Sequence, residues 1–234
     1  MKKTILLLIV ISSTVCVHAQ RKFGIKAGYN LSGIYNISGS VVGDAPAPDW
    51  GMKSGFQGGI LGDFRLNRSF YLQPSLMFSM QGFKDEYESN GSAKRLFSLY
   101  YLQVPINLQY KLDLGEPKLI FQAGPYAGLG LFSRQRYFKK DVLQKIDDKY
   151  KKLETTSNKK NDDSRPSFDF GVGVGVGVQL LRFQLMAGYN FGFTEISFDK
   201  DVYSRKYDIK MKNHGLFITL TCLFGKDDVL LIND

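Results

Sequence analysis

The chain has 234 residues, with 31 Lys and Arg against 22 Asp and Glu, a formal net charge of +9, two histidines and two cysteines. So few thiols and imidazoles exclude a disulfide-knitted scaffold and a Cys/His zinc cage. A mean hydropathy of −0.17, with no apolar run near the roughly 20 residues a spanning helix needs, excludes a helical membrane bundle but not one built of strands.

Lys2 and Lys3 precede the apolar run ILLLIVI (5–11), and Val17-His18-Ala19 is a small-residue cleavage site before Gln20. This is the pattern of a cleaved signal peptide over residues 1–19. Cys16 raises a lipoprotein reading, but Val15 stands where a lipobox takes a small residue. The mature chain, 20–234, loses Lys2 and Lys3, so its formal charge is +7, and it keeps one thiol, Cys222.

From Phe23 onward the sequence alternates with period 2. Phe23, Ile25, Ala27, Tyr29 and Leu31 alternate with Gly24, Lys26, Gly28, Asn30 and Ser32. Met52, Phe56, Ile60, Phe64 and Leu66 are interleaved with Lys53, Gly55, Gln57, Gly59, Asp63 and Arg65. A third run sets Phe70, Leu72, Leu76, Phe78 and Met80 against Gln73, Ser75, Ser79 and Gln81. A fourth sets Leu102, Val104, Ile106, Leu108 and Tyr110 against Gln103, Asn107, Gln109 and Lys111. The fifth, over 119–131, sets Phe121, Ala123, Ala127 and Leu129 opposite Gln122, Gly124, Gly128 and Gly130. The sixth, FDFGVGVGVGVQL (168–180), is the strictest, with glycine at 171, 173, 175 and 177 between valines. The seventh runs from Phe183 to Thr194 and the eighth from Leu216 to Phe224. Eight such strands of about ten residues or more suit a tilted bilayer crossing.

Alternation alone leaves open a soluble barrel of lipocalin type, apolar inside and polar outside. The second face decides. Gly, Gln, Asn, Ser and Thr with a few charges make a poor soluble exterior but suit a narrow polar lumen, so the valines face lipid. The glycines of the sixth run do not open a helix, and Val176 breaks a G-x-G-x-x-G spacing, so a dinucleotide fingerprint does not fit. A silk-like repeat would extend beyond one strand.

Connections alternate in length. Short ones fall at 67–68, 113–117 and 181–182, and long ones at 34–50, 84–95, 134–166 and 197–212. This rhythm gives the expected fold: an all-β, eight-stranded antiparallel up-and-down transmembrane β-barrel with short periplasmic turns and long extracellular loops. The longest connection is basic, with eleven Lys and Arg against six Asp and Glu over 134–165. Phe138, Val142, Ile146, Tyr150 and Leu153 fall at spacings of four and three, the period of an amphipathic helix. Such a segment docks a protein partner or anionic headgroups, against the alternative of a solvated charge-rich loop. A tail, 226–234, follows the last strand.

Candidate chemistry is sparse. His214 is the mature chain's one histidine, with Ser204 and Asp208 upstream, and a Ser-His pair there would suit lipid hydrolysis. No flanking motif fixes that geometry, and a solvated rim histidine is the simpler reading. One His and one Cys do not make a metal cage, Asp199-Lys200-Asp201 is far from a calcium loop, and no cofactor site is expected. Lys26, Lys53, Asp63, Arg65 and Asp169 occupy polar-face positions, where charge pairs closing the lumen are favoured over a conduction path. Trp50, Tyr29, Tyr71, Tyr110 and Tyr189 are candidates for interfacial aromatic girdles.

Five stretches in order carry a resemblance: FGIKAGYNLS (23–32), FYLQPSLMFSMQGFK (70–84), YLQVPINLQY (101–110), FQAGPYAGL (121–129) and a final strand ending in Phe224. With them the chain resembles the PorT-type outer-membrane β-barrel family of Bacteroidota across the mature sequence. It departs from the family at Ser75 and Gln103, where members often carry glutamate. The resemblance implies an integral protein of a Gram-negative outer membrane in contact with its lipid and lipopolysaccharide, inserted by the barrel-assembly machinery. The expected role is structural or accessory and non-enzymatic, in type IX protein secretion or surface interaction through the basic loop 134–166, with no nucleic-acid partner. A lipid-modifying barrel enzyme and a narrow passive pore are the competing readings.

Overall fold

The computed structural model describes residues 21–38, 49–87, 93–139, 142–147, 151–152, 168–202 and 205–225. The expected signal peptide and the tail 226–234 lie outside them. Ten strands follow in chain order: β1 (Arg21–Ser38), β2 (Asp49–Arg65), β3 (Phe70–Tyr87), β4 (Ala93–Leu112), β5 (Lys118–Lys139), β6 (Val142–Asp147), β7 (Lys151–Lys152), β8 (Phe168–Leu180), β9 (Phe183–Val202) and β10 (Arg205–Phe224). Each of β1 to β5 pairs antiparallel with the next, and β5 pairs with β8, β8 with β9 and β9 with β10. β10 returns to β1, from Phe23 opposite Phe224 to Ser38 opposite Lys210. Eight strands therefore close a ring, with β6 and β7 outside it. Closure leaves no unpaired edge within the barrel wall, which is what a strand needs in a solvent without hydrogen-bonding partners.

The alternation sorts as expected. Phe23, Ile25 and Tyr29 on β1 are more than half exposed, and so is Val176 on β8. Gln73, Gln109, Gln184 and Thr221, pointing inward, have no exposed surface at all. This inside-out distribution belongs to lipid, since a contiguous apolar band encircling the molecule is not tolerated in water. Outward aromatics mark its limits. Phe56, Phe78, Tyr100 and Phe132 form a row across β2 to β5, with ring centroids 6.4, 5.9 and 4.3 Å apart in turn. Nearer the short connections Phe70 packs on Tyr110 at 5.2 Å. Phe183 and Phe191 on β9 are eight positions apart. At ~3.3 Å per residue and a tilt of about 40°, that separates the two levels by ~20 Å, close to the height of a lipid-facing band.

Three expectations need correction. The amphipathic helix is absent: residues 142–147 and 151–152 are strand, with Arg136 opposite Asp147 and Phe132 opposite Lys152, while Tyr150 and Leu153 lie outside the described residues. β8 reaches only as far along β5 as Leu129. Beyond that point, among the described residues, β5 pairs with β6 and β7, and its backbone donors and acceptors draw that segment into pairing more strongly than a side-chain period draws it into a helix. Second, 197–212 is not a loop. β9 and β10 continue through it to Val202 opposite Arg205, because backbone pairing does not stop where hydrophobic alternation stops. Third, the lumen is not wholly polar: Leu61, Met77, Leu99, Ile120, Met186 and Leu223 are buried inside it. Glycines make the room. A Cβ on Gly24 would stand 3.0 Å from Leu223 Cδ2 and 3.2 Å from Leu61 Cδ1, so these two leucines from the flanking strands meet over that glycine.

The short connections are fixed by their own side chains. Asn67 Oδ1 accepts from the backbone N–H of Ser69 (3.0 Å) and of Phe70 (2.9 Å), closing the β2–β3 turn. In the β4–β5 turn Asp113 accepts from Gly115 N–H at 3.3 Å and pairs with Lys118 at 3.0 Å. That bond to Lys118, followed by the one to Gly115, holds the Asp113 carboxyl below its usual range.

Candidate functional site in the barrel lumen

Near the short turns, a polar network crosses the lumen. Lys26 Nζ (β1) donates to Gln73 Oε1 (β3) at 2.8 Å. Gln73 Nε2 donates to Asp63 Oδ1 (β2) at 3.3 Å and to Gln184 Oε1 (β9) at 3.2 Å. Gln184 in turn donates to Gln179 (β8) at 3.0 Å. Lys111 Nζ (β4) donates to Asp63 Oδ2 at 2.8 Å, and this ion pair is almost wholly buried. Six of the eight barrel strands thus contribute to one connected layer. The alternating pattern puts each of these side chains inward because each occupies the polar phase of its strand. Gln109 donates to Gln122 at 3.2 Å, and Leu61, Leu223, Ile120 and Met186 fill the gaps. Side chains occupy the cross-section here, as eight strands allow little else.

Of the five charged residues read from the sequence, this layer brings together Lys26 and Asp63. Arg65 sits at the turn instead, its Nε donating to Asn67 O at 3.1 Å. Lys53 is buried further from the turns, donating to Ser54 O at 3.4 Å. Asp169 belongs to a second cluster in that other half. Asn213 Nδ2 donates to Asp169 Oδ2 at 3.3 Å and lies 3.4 Å from Tyr101 Oη. The Tyr126 phenol stands beside the same carboxyl group. Asp169 is 1% exposed, no ion pair joins it to a cation among the described residues, and its Oδ1 has no hydrogen-bond partner there. A Cβ on Gly192 would stand 3.2 Å from both Asp169 Oδ1 and Tyr126 Oη. The cluster packs over that glycine, where β9 bulges against β10 between Lys212 and His214.

Lys111 is the partner that sequence reasoning did not pair with Asp63. It sits on the polar phase of β4, but 48 positions separate it from Asp63, and only the barrel's register joins them. Tyr71 is also corrected: it points inward, its ring centroid 3.8 Å from Lys111 Nζ in a cation–π contact, and so is no girdle residue. Tyr29, Tyr110 and Tyr189 do lie on the outward phase, whereas the side chain of Trp50 is outside those described. Ser75 and Gln103 are both buried and inward, and each has an unpartnered polar atom among the described residues, Ser75 Oγ and Gln103 Nε2.

His214 lies on the outward phase of β10, bonded through Nδ1 to Tyr189 Oη, with the Tyr35 ring edge-on at a centroid distance of 5.6 Å. Tyr35 passes over it to donate to Gly192 O at 2.6 Å. Ser204 and the side chains of Asp199, Lys200, Asp201 and Asp208 are outside those described. The histidine is a member of an aromatic cluster at the membrane boundary. Among the described residues no group of three His, Cys, Asp or Glu is placed to hold a metal.

Residues 18–197 match the family model for the outer membrane protein beta-barrel domain. That match ends before β10, the strand that closes the ring on β1. No curated protein matches the chain. Among solved structures, the chain is similar to Neisserial surface protein A, at 18% identity and TM-score 0.38, covering 86% of this chain and 97% of that one. It is similar to OprG from Pseudomonas aeruginosa at 14% identity and TM-score 0.41, covering 89% and 98%. Ail, the attachment invasion locus protein of Yersinia pestis, aligns at 15% identity and TM-score 0.36, over 88% and 99%. With an apolar exterior, a closed eight-stranded ring and a family match over most of its length, the chain belongs to the outer membrane protein beta-barrel domain family and is an integral outer-membrane protein.

Proposed function

We propose that this barrel is a non-enzymatic, non-conducting anchor that holds a protein partner at the cell surface, as an accessory of type IX secretion. In this reading its short turns lie on the periplasmic side, and its strand extensions, with β6 and β7, lie on the outer side. The observation that supports this reading is the six-strand network around Asp63 and Lys111, whose side chains cross the lumen at the turn end. A barrel closed in this way works through its ends. The far end offers β9 and β10 running to Val202 and Arg205, and the β5 extension carrying β6 and β7. The excess of eleven basic over six acidic residues in 134–165 suits an acidic protein surface or lipopolysaccharide phosphates. The secretion role itself is what the PorT-type resemblance adds.

The test is the culture-supernatant proteome of a deletion strain. Loss of type IX cargo is expected, restored by the intact gene and by His214→Ala, but not by a gene lacking 140–166. An unchanged secretome overturns the secretion role, and failure of His214→Ala to complement overturns the non-enzymatic one.

A further inference from the structure

Two of the short connections carry an exposed leucine beside an exposed arginine: Leu66 and Arg68 between β2 and β3, Leu181 and Arg182 between β8 and β9. By strand order these two turns stand on opposite sides of the ring. We infer that each pair docks the phosphate of an anionic phospholipid in the leaflet on the turn side, one lipid to either side of the barrel.

Three observations lead there. The first is strain. Leu181 opens the two-residue turn between the paired Leu180 and Phe183, and it holds φ at +52°. Glycine takes that conformation at no steric cost, whereas a bulky side chain there is a backbone outlier. Gln179 Nε2 pins the turn by donating to Leu181 O at 3.1 Å. The side chain held at this cost is 67% exposed, so the fold gains little from it and its use lies outside the chain. The second is charge. No side-chain hydrogen bond or ion pair joins Arg68 or Arg182 to another group among the described residues. In the β4–β5 turn, by contrast, Lys118 is already paired with Asp113 at 3.0 Å. A guanidinium without an acceptor offers its fork of N–H donors to two phosphate oxygens at once. The third is depth. Arg182 directly precedes Phe183, and Arg68 stands two residues before Phe70, outward aromatics at the edge of the lipid-facing band. That edge is the level of the headgroups. The guanidinium there meets phosphate while the leucine dips toward the acyl chains. Free phosphate would engage the arginine alone; a phospholipid engages both side chains.

The full mature chain, refolded in dodecyl maltoside, is titrated with dioleoyl phosphatidylglycerol or dioleoyl phosphatidylcholine, and retained lipid is counted by native mass spectrometry. Phosphatidylglycerol is expected to stay on the barrel in preference to phosphatidylcholine, one molecule per leucine–arginine pair, and inorganic phosphate does not displace it. Arg68→Gln and Arg182→Gln each weaken retention at one pair about fivefold, whereas Lys118→Gln leaves it unchanged. Leu181→Gly removes the strain and the apolar side chain together, so it unfolds at a higher temperature yet retains less phosphatidylglycerol. Equal retention of the two lipids overturns the inference, as does displacement by inorganic phosphate or full retention in Leu181→Gly or in the double arginine variant. So does a chain that holds phosphatidylglycerol only once 226–234 is removed, since Asp227 and Asp228 of that tail are then the occupants of the site. If the variants do not fold, the unaltered protein decides through salt: retention that falls with ionic strength supports the site, and retention indifferent to it overturns the inference.

Discussion

The two halves of the lumen hold the same kinds of residue but treat buried charge differently. At the turn end Asp63 meets Lys111 directly and is joined through Gln73 to Lys26, Gln184 and Gln179. In the other half Asp169 is just as deeply buried, yet it takes a hydrogen bond from an amide, with a phenol beside it, and one oxygen has no partner among the described residues. Burial alone therefore does not make a lock. The lock is where the register brings opposite charges into direct contact, and that end also has tight, self-capped turns.

Substitutions that separate the halves should differ in size accordingly. Asp63→Ala leaves two ammonium groups buried without their carboxylate and is expected to cost about 3–5 kcal/mol in urea unfolding of the refolded barrel. A smaller loss, of ~1 kcal/mol, is expected for Asn67→Ala, which strips the turn of the acceptor for two backbone N–H groups. Asp169→Asn keeps the shape and removes a charge that has no ion-pair partner among the described residues, so it should change stability by less than about 1 kcal/mol, in the stabilising direction. A loss as large as that of Asp63→Ala would erase the contrast between the halves. The smallest effect belongs to Asp113, fully exposed in its turn. Its lowered carboxyl range means that its contribution is present at neutral pH and lost as pH falls through that range. The difference between the unaltered protein and Asp113→Asn should accordingly vanish in acid.

Much of this architecture is legible in the sequence because strand facing is a local property. Phe23 to Ser32, or Phe168 to Leu180, declares which residues face lipid without reference to any other strand. Turns are nearly as local: Asn67 and Asp113 bond within three residues of themselves. What is hidden depends on register. Lys111 and Asp63, or Tyr71 beneath Lys111, are joined only when β2, β3 and β4 are set side by side, and no spacing along the chain announces that. The β6 and β7 segments are hidden for a related reason. Val142 and Ile146 have a helix-compatible spacing, but the decisive fact is the backbone of β5, on which this segment folds back with Tyr137 opposite Ile146 and Lys139 opposite Val142.

The account stands most directly on the closed turn end of the lumen. Purified, refolded protein is placed in a planar lipid bilayer under an applied voltage. The account predicts insertion, verified by heat-modifiable migration of the same sample, without discrete steps of ionic conductance. Steady, ohmic unit steps from the unaltered protein would contradict it, since they require an ion path through the layer that Lys26, Asp63, Gln73, Lys111 and Gln184 fill.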